Sequence, residues 1–389
     1  MVNQIALKSA ASVACAVPGA TNDGEGGLGQ VSNRIRPEIT ADGGFRRQGN
    51  VLPRRFGYEI GQIPVIPNRY RVIGLIGCGW NRRQRIVLRL LGLDRVVAIE
   101  SVIGKKDRGW ILNPEGLGKE FGYTYLADFY EATVPGFTGR ATSPAVIDEA
   151  TGKVVTNDYQ TLSLDWETVW KPYHKPDAPD LYPDFLRPQI DLLNQQLFDD
   201  INNGTYKIIF ATERDVAEVA LTVFEARLGE IDQRLRTRRY LFGRYLTDSD
   251  VRLFQTLAAY EVTYRPGIIR KVGHEVRHLW DFPHLWDYAR DLFATPGFID
   301  DEELHALGYL PFEDGTYAYA FGYTTTADTA HENGPADRRE YLERWREPVD
   351  RTGLDGSWEY TGPGTGGLDV LWSFGEYHPE NRRKEPSRS

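Results

Sequence analysis

Sulfur is scarce in this chain, which has two cysteines, Cys15 and Cys78, and one methionine in 389 residues. Two cysteines make no disulfide framework, so a reducing cytoplasm is the expected compartment. The seven histidines are scattered and join the cysteines in no ligand cluster, so no metal is expected. No basic block stands out, and a net charge of −9 with a pI near 5.4 argues against nucleic acid as a partner. No apolar run approaches the ~20 residues of a membrane span, so no membrane partner is expected. Ile5 to Ala20 includes Ala14-Cys15-Ala16, but only Lys8 stands in front and there is no strong apolar centre. It is not read as a signal peptide.

What remains is an ordinary soluble composition, 41% apolar and 26% charged, in a chain long enough for two domains. Its most informative stretch runs from Tyr70 to Leu91. The apolar run Val72 to Ile76 reads as a buried strand, and Gly77-Cys78-Gly79 turns the chain. From Trp80 the period changes, with Ile86, Leu88, Leu90 and Leu91 spaced for a helix packed on a sheet. Cys78 therefore sits at a strand-to-helix junction, where backbone N–H groups are unpaired and the helix dipole is positive. Arg82, Arg83 and Arg85 are expected to add charge there and to favour a thiolate. The alternative is that Cys78 is a small buried filler.

A second strand, Arg95 to Val102, completes a βαβ start with a right-handed crossover. Lys105 to Phe137 is a Gly- and aromatic-rich insertion, read as a lid or wall of a site. Ala145 to Asp148 and Lys153 to Thr156 form a hairpin, and Asn157-Asp158 is expected to cap a helix running to about Trp170. This order is that of a thioredoxin-like domain. Pro144 falls where that fold places a cis-proline facing the cysteine.

The expected organisation is a loose arm over residues 1–48, a thioredoxin-like domain over 49–170, a Pro-rich linker over 171–186 and an all-helical domain over 187–312. In the last, Val216 to Leu235 is one amphipathic helix and His284 to Phe293 another. Thr247 and Asp250 have capping-box spacing, with Leu246 and Val251 as the staple. Residues 313–389 read as an extension of patchy structure. Its Trp345, Trp358 and Trp372 suggest docking on the body.

A thioredoxin-like half with a single cysteine, joined to a helical half with a capping box, resembles a glutathione transferase. The branch it most resembles is the glutathionyl-hydroquinone reductases, the Xi-class, omega-like transferases. Their Cys-Pro-Trp-Ala-His-Arg motif reads here Cys78-Gly79-Trp80-Asn81-Arg82-Arg83. Further matches are Gly109-Trp110, Arg140 to Pro144, Asn157-Asp158, Gly204 to Lys207, Arg239 to Gly243, Tyr264 and Phe282 to Trp286. The likeness spans roughly residues 45 to 312.

The resemblance implies a cysteine-dependent enzyme that reduces glutathionyl-hydroquinones, with glutathione as cosubstrate. Cys78 would be the nucleophile and Tyr206 the proton-transferring group, while Tyr264 and Tyr309 would line the hydroquinone pocket. Trp110, Arg140, Ser143, Asp158 and Tyr159 would hold the thiol. Each tyrosine has an alternative as a core or surface aromatic, and Asp158 as a plain helix cap. The family's Glu-Ser pair is Asp158-Tyr159 here, its Pro is Gly79 and its His is Arg82. These departures lie on the thiol side. They leave open another low-molecular-weight thiol, thiol addition to an electrophile, or a non-catalytic binding role. A small aromatic thioether or quinone-type substrate and a homodimer are the expected partners.

Overall fold

The computed structural model describes residues 38–106, 108–313, 315, 317–318, 324–325 and 338–358. Cys15, Trp372 and most of the expected arm lie outside them.

The first half is built on a four-stranded sheet of order β2-β1-β5-β6. Strand β1 (Tyr70–Gly74) pairs in parallel with β2 (Ala98–Ser101), matching Val72 to Ile99. On its other side it pairs antiparallel with β5 (Ala145–Asp148), matching Val72 to Val146. Strand β6 (Lys153–Thr156) closes the expected hairpin. Val72, Ile73, Val146 and Ile147 are fully buried, because the sheet is covered on both faces. Helix α1 (Gly79–Leu91) makes the crossover, and the Ser143–Pro144 peptide bond is cis, as the domain reading expected. The insertion carries a small antiparallel hairpin, β3 (Gly104–Lys106) and β4 (Gly109–Ile111), and helix α2 (Leu126–Thr133).

One helix differs from expectation. Asp158 does not cap a helix; its carboxylate accepts from the Gln160 N–H and the Thr161 hydroxyl and closes a turn. Helix α3 then spans only Leu162–Glu167. A short acidic side chain bonding two and three residues ahead offers the backbone an alternative to a helical start.

The second half is helical. Helix α4 (Arg187–Gln196) widens into a π-helical segment, Leu197–Asn202, before α5 (Gly204–Phe210). Helix α6 (Arg214–Leu235) follows, then α7 (Asp248–Ala259), a second π-helical segment at Tyr260–Tyr264, and α8 (Arg265–Val272). Helices α9 (Pro283–Ala294) and α10 (Asp301–Leu307) complete the body. The Thr247–Asp250 capping box is present on α7. Asp250 also accepts from the Leu241 N–H and the Tyr288 hydroxyl, so one buried carboxylate joins three segments.

The halves meet along α1. Arg85 reaches Glu302, and Arg89 reaches Asp300 and Glu303, at the acidic start of α10. In the extension, α11 (Arg338–Arg346) lays Trp345 among Trp286, Phe293 and Phe254. Trp358 sits edge-on to Phe185 and is partly exposed. Among the described residues no helix is long and apolar enough to cross a membrane.

Candidate active site

Cys78 is the residue immediately before α1, in extended conformation, and its carbonyl accepts the first helical bonds from Asn81 and Arg82. The loop before it is braced from two sides. The Asn81 side chain donates to the Leu75 carbonyl, and the Leu75 N–H donates to the Ser143 hydroxyl at 3.1 Å. Only glycine fits at position 74, since a Cβ there would lie 2.6 Å from Asn81 and 2.8 Å from the Ser143 hydroxyl. The first turn of α1 carries no acidic side chain, so nothing within it offsets the positive end of the dipole beside the thiol.

The expected arginine contribution is not made in the way the spacing suggested. Arg82 lies in an ion pair with Glu303 and donates to the Gln255 carbonyl, and Arg85 pairs with Glu302 and Asp300. Arg83 donates to the Tyr159 carbonyl. Burial, with Arg252 adding like charge, pulls Arg83 down to about 9. Helical periodicity turns these three side chains toward carboxylates and carbonyls of the neighbouring elements. Arg82 and Arg85 thereby join the two halves, while Arg82 also donates to the Gly77 carbonyl beside Cys78 at 3.4 Å.

An aromatic cluster lies beside the thiol. Trp80, two residues after Cys78, has its ring 4.8 Å from that of Tyr159 and 6.2 Å from that of Tyr206. Tyr206 is in turn 6.0 Å from Tyr264. A Cβ on Gly79 would come within 3.4 Å of the Tyr264 hydroxyl, which brings that hydroxyl to the first residue of α1. Tyr264 ends one π-helical segment, and Tyr206 stands on the first turn after the other. Such widened turns shift the register and re-aim the side chains that follow.

Tyr309 is different. It is fully buried, and its hydroxyl accepts the Trp345 indole N–H at 2.9 Å. Burial, with the Glu261 charge nearby, holds that hydroxyl far above the usual phenol range. This placement puts Tyr309 under the extension and lends no support to a pocket-lining role.

Two of the residues expected to hold the thiol, Arg140 and Tyr159, are in contact with the described part of the arm. Arg140 donates to Glu38 at 3.0 Å, and burial lowers its basicity while Glu38 opposes that. Asp158 accepts from the Asn50 amide at 2.8 Å. Ser143 precedes the cis-proline and braces the cysteine loop. Trp110 lies on β4 with the Lys105 ammonium 5.3 Å from its ring centre. Burial pushes the Tyr159 hydroxyl up, and Arg47 pulls the other way.

Arg47, Glu38 and Asn203 were not found from the sequence. Arg47 comes from the arm, and its local signal is no more than Phe45-Arg46-Arg47 after two glycines. No spacing rule would carry it to Asn203, 156 residues away. Among the described residues no group of three or more His, Cys, Asp or Glu is placed to hold a metal ion.

No protein-family model matches the chain. The chain is 31% identical to glutathione S-transferase omega-like 3 of Saccharomyces cerevisiae, a match covering 57% of this chain and 78% of that one. It is 29% identical to the glutathionyl-hydroquinone reductase YqjG of Escherichia coli, covering 60% and 71%. Among solved structures, a glutathione transferase from Gordonia bronchialis superposes with a TM-score of 0.63 at 34% identity, covering 75% of this chain and 87% of that one. The mixed sheet of the first half and the helical second half agree with these likenesses. The chain belongs to the glutathione transferase family, in its omega-like, Xi-class branch.

Proposed function

We propose that this glutathione-dependent transferase-type enzyme reduces glutathionyl-hydroquinones through Cys78. The observation that carries the reading is the convergence of the helix-capping Cys78 with Trp80, Tyr206 and Tyr264, which sets a thiol beside a cluster of aromatic side chains. The Cys78 thiolate attacks the thioether sulfur of the substrate and forms an S–S bond. The C–S bond breaks, its electron pair stays on the ring carbon, and the Tyr206 hydroxyl supplies the proton that releases hydroquinone. A second glutathione thiolate then attacks the mixed disulfide, giving glutathione disulfide and regenerating Cys78. The net reaction reduces the ring carbon by two electrons and joins the substrate's thioether sulfur and one glutathione thiol as glutathione disulfide. Ser143, before the cis-proline, offers its backbone to the cysteinyl part of the thiol, and Arg140 is a partner for one of its carboxylates.

A second reading is favoured by the contacts around the expected thiol site. Arg140 is engaged by Glu38, Asp158 by Asn50, and bulky Tyr159 packs at a tilt against Trp80. A thiol with fewer carboxylates than glutathione would compete less with these contacts. The two readings share the chemistry at Cys78 and differ in the resolving thiol. Steady-state turnover of a glutathionyl-hydroquinone, with glutathione or another low-molecular-weight thiol as reductant, separates them. Wild type is expected to release hydroquinone and Tyr206→Phe to do so about 100-fold more slowly. Equal rates for the two would remove Tyr206 from the reaction. Release driven only by the other thiol would replace glutathione. A homodimer and the five-part division of the chain belong to the same proposal.

A further inference from the structure

We infer that Arg47 is a specificity-determining residue that selects aromatic substrates carrying a carboxylate. The inference rests on the proposed reading that Tyr206 and Tyr264 line the substrate site.

The arm that supplies Arg47 is built onto the body. Ile39 and Phe45 pair across a tight turn, and the Thr212 N–H donates to the Gly43 carbonyl. Gly43 has φ +84°, and a Cβ there would lie 2.4 Å from the Thr212 hydroxyl, so the arm approaches the body as closely as a chain can. Phe45 packs on Phe210 at 5.1 Å and on Tyr206 at 6.3 Å. Beyond Arg47, the Gln48 N–H donates to Glu38 and the Asn50 amide to Asp158. Arg47 is therefore fixed from both sides.

Its Nε donates to the Asn203 side-chain oxygen at 3.1 Å, which orients the guanidinium. The guanidinium carbon lies 4.3 Å from the Tyr206 ring centre, 4.9 Å from Trp80 and 6.0 Å from Tyr159. Aromatic faces hold a cation well and exclude water around it. A planar, charged donor group thus stands against the Tyr206 and Trp80 rings. A substrate ring that reaches Tyr206 brings its substituents toward that group. A carboxylate there gains a charge-assisted hydrogen bond in a poorly hydrated site, roughly twice as strong as the bond to a neutral oxygen. The methyl ester of the same ring keeps the stacking and loses the charge.

The test is calorimetric titration of 2,5-dihydroxybenzoate and of its methyl ester into the Cys78→Ser protein, which measures binding without turnover. The carboxylate is expected to bind about tenfold more tightly than the ester. Adding Arg47→Met is expected to bring the two affinities level, Arg47→Lys to keep part of the preference, and Arg46→Met, on the exposed neighbour, to leave it unchanged. No carboxylate preference, a preference that survives Arg47→Met, or no binding of either ring would overturn the inference. A preference abolished by Arg47→Met in a protein that fails to turn over glutathionyl-hydroquinones would keep this assignment and remove the reductase reading.

Discussion

Glu38 and Arg140 are paired at 3.0 Å, 102 residues apart in the chain, with Glu38 almost wholly buried. The same Glu38 oxygen accepts the Gln48 N–H, so the pair fastens the arm over the thiol side of the site. A carboxylate of glutathione reaching Arg140 must compete with Glu38. Glu38→Gln keeps the acceptor for Gln48 and removes the charge. It is expected to lower KM for glutathione about fivefold, on the order of 1 kcal/mol, with kcat little changed. An unchanged or higher KM would take Arg140 out of thiol binding.

Asp250 accepts four hydrogen bonds, from the Thr247 N–H and hydroxyl, the Leu241 N–H and the Tyr288 hydroxyl, all in the interior. Asp250→Ala strands these donors and is expected to destabilise the protein by about 3 kcal/mol or more in urea unfolding. Thr247→Ala removes one cap and is expected to cost about 1 kcal/mol.

Trp345 ties the extension to the body by packing on Trp286 and Phe293 and by donating to Tyr309. Trp345→Ala leaves a cavity and an unmet hydroxyl, with an expected loss of about 3–5 kcal/mol. Because Tyr309 lies under this helix, thioether cleavage is expected to persist in whatever fraction of Trp345→Ala stays folded, as read by turnover per folded molecule from circular dichroism.

Burial pushes the Asp200 carboxyl up to about 6, with Arg227 at 2.9 Å pulling the other way. An unfolded chain returns it to about 3.9. The native value is the higher one, so its contribution to stability is complete below about pH 4 and is lost as pH rises through 6. Urea unfolding near pH 4 and near pH 7 checks this. The stability of wild type relative to Asp200→Asn is expected to fall across that interval, by an amount on the order of 2–3 kcal/mol.

The features legible in the sequence were local. The change of period at Trp80 placed Cys78 at a helix start, and the hairpin of β5 and β6 was bounded to the residue. The Thr247–Asp250 spacing gave its cap, and Pro144 its position. What was missed depends on partners far along the chain. Arg82 and Arg85 were read only as charges beside a thiol, and their ion pairs with Glu303 and Glu302, more than 200 residues on, had no local sign. Tyr309 looked like a pocket residue until α11 covered it with Trp345. Asp158 had the composition of a cap, and only the turn geometry shows it serving Gln160 and Thr161 instead. Arg47 had no local mark at all, since its place is set by rings at 80, 159 and 206.

The central claim is that Cys78 takes the glutathionyl group from an aromatic thioether. The most direct measurement is the intact mass of the protein, acid-quenched after a single turnover with a glutathionyl-hydroquinone and no added thiol. The account predicts one glutathione adduct per chain on Cys78, formed together with one equivalent of free hydroquinone, and neither product with Cys78→Ser. Hydroquinone released without an adduct, or released equally by Cys78→Ser, would contradict it.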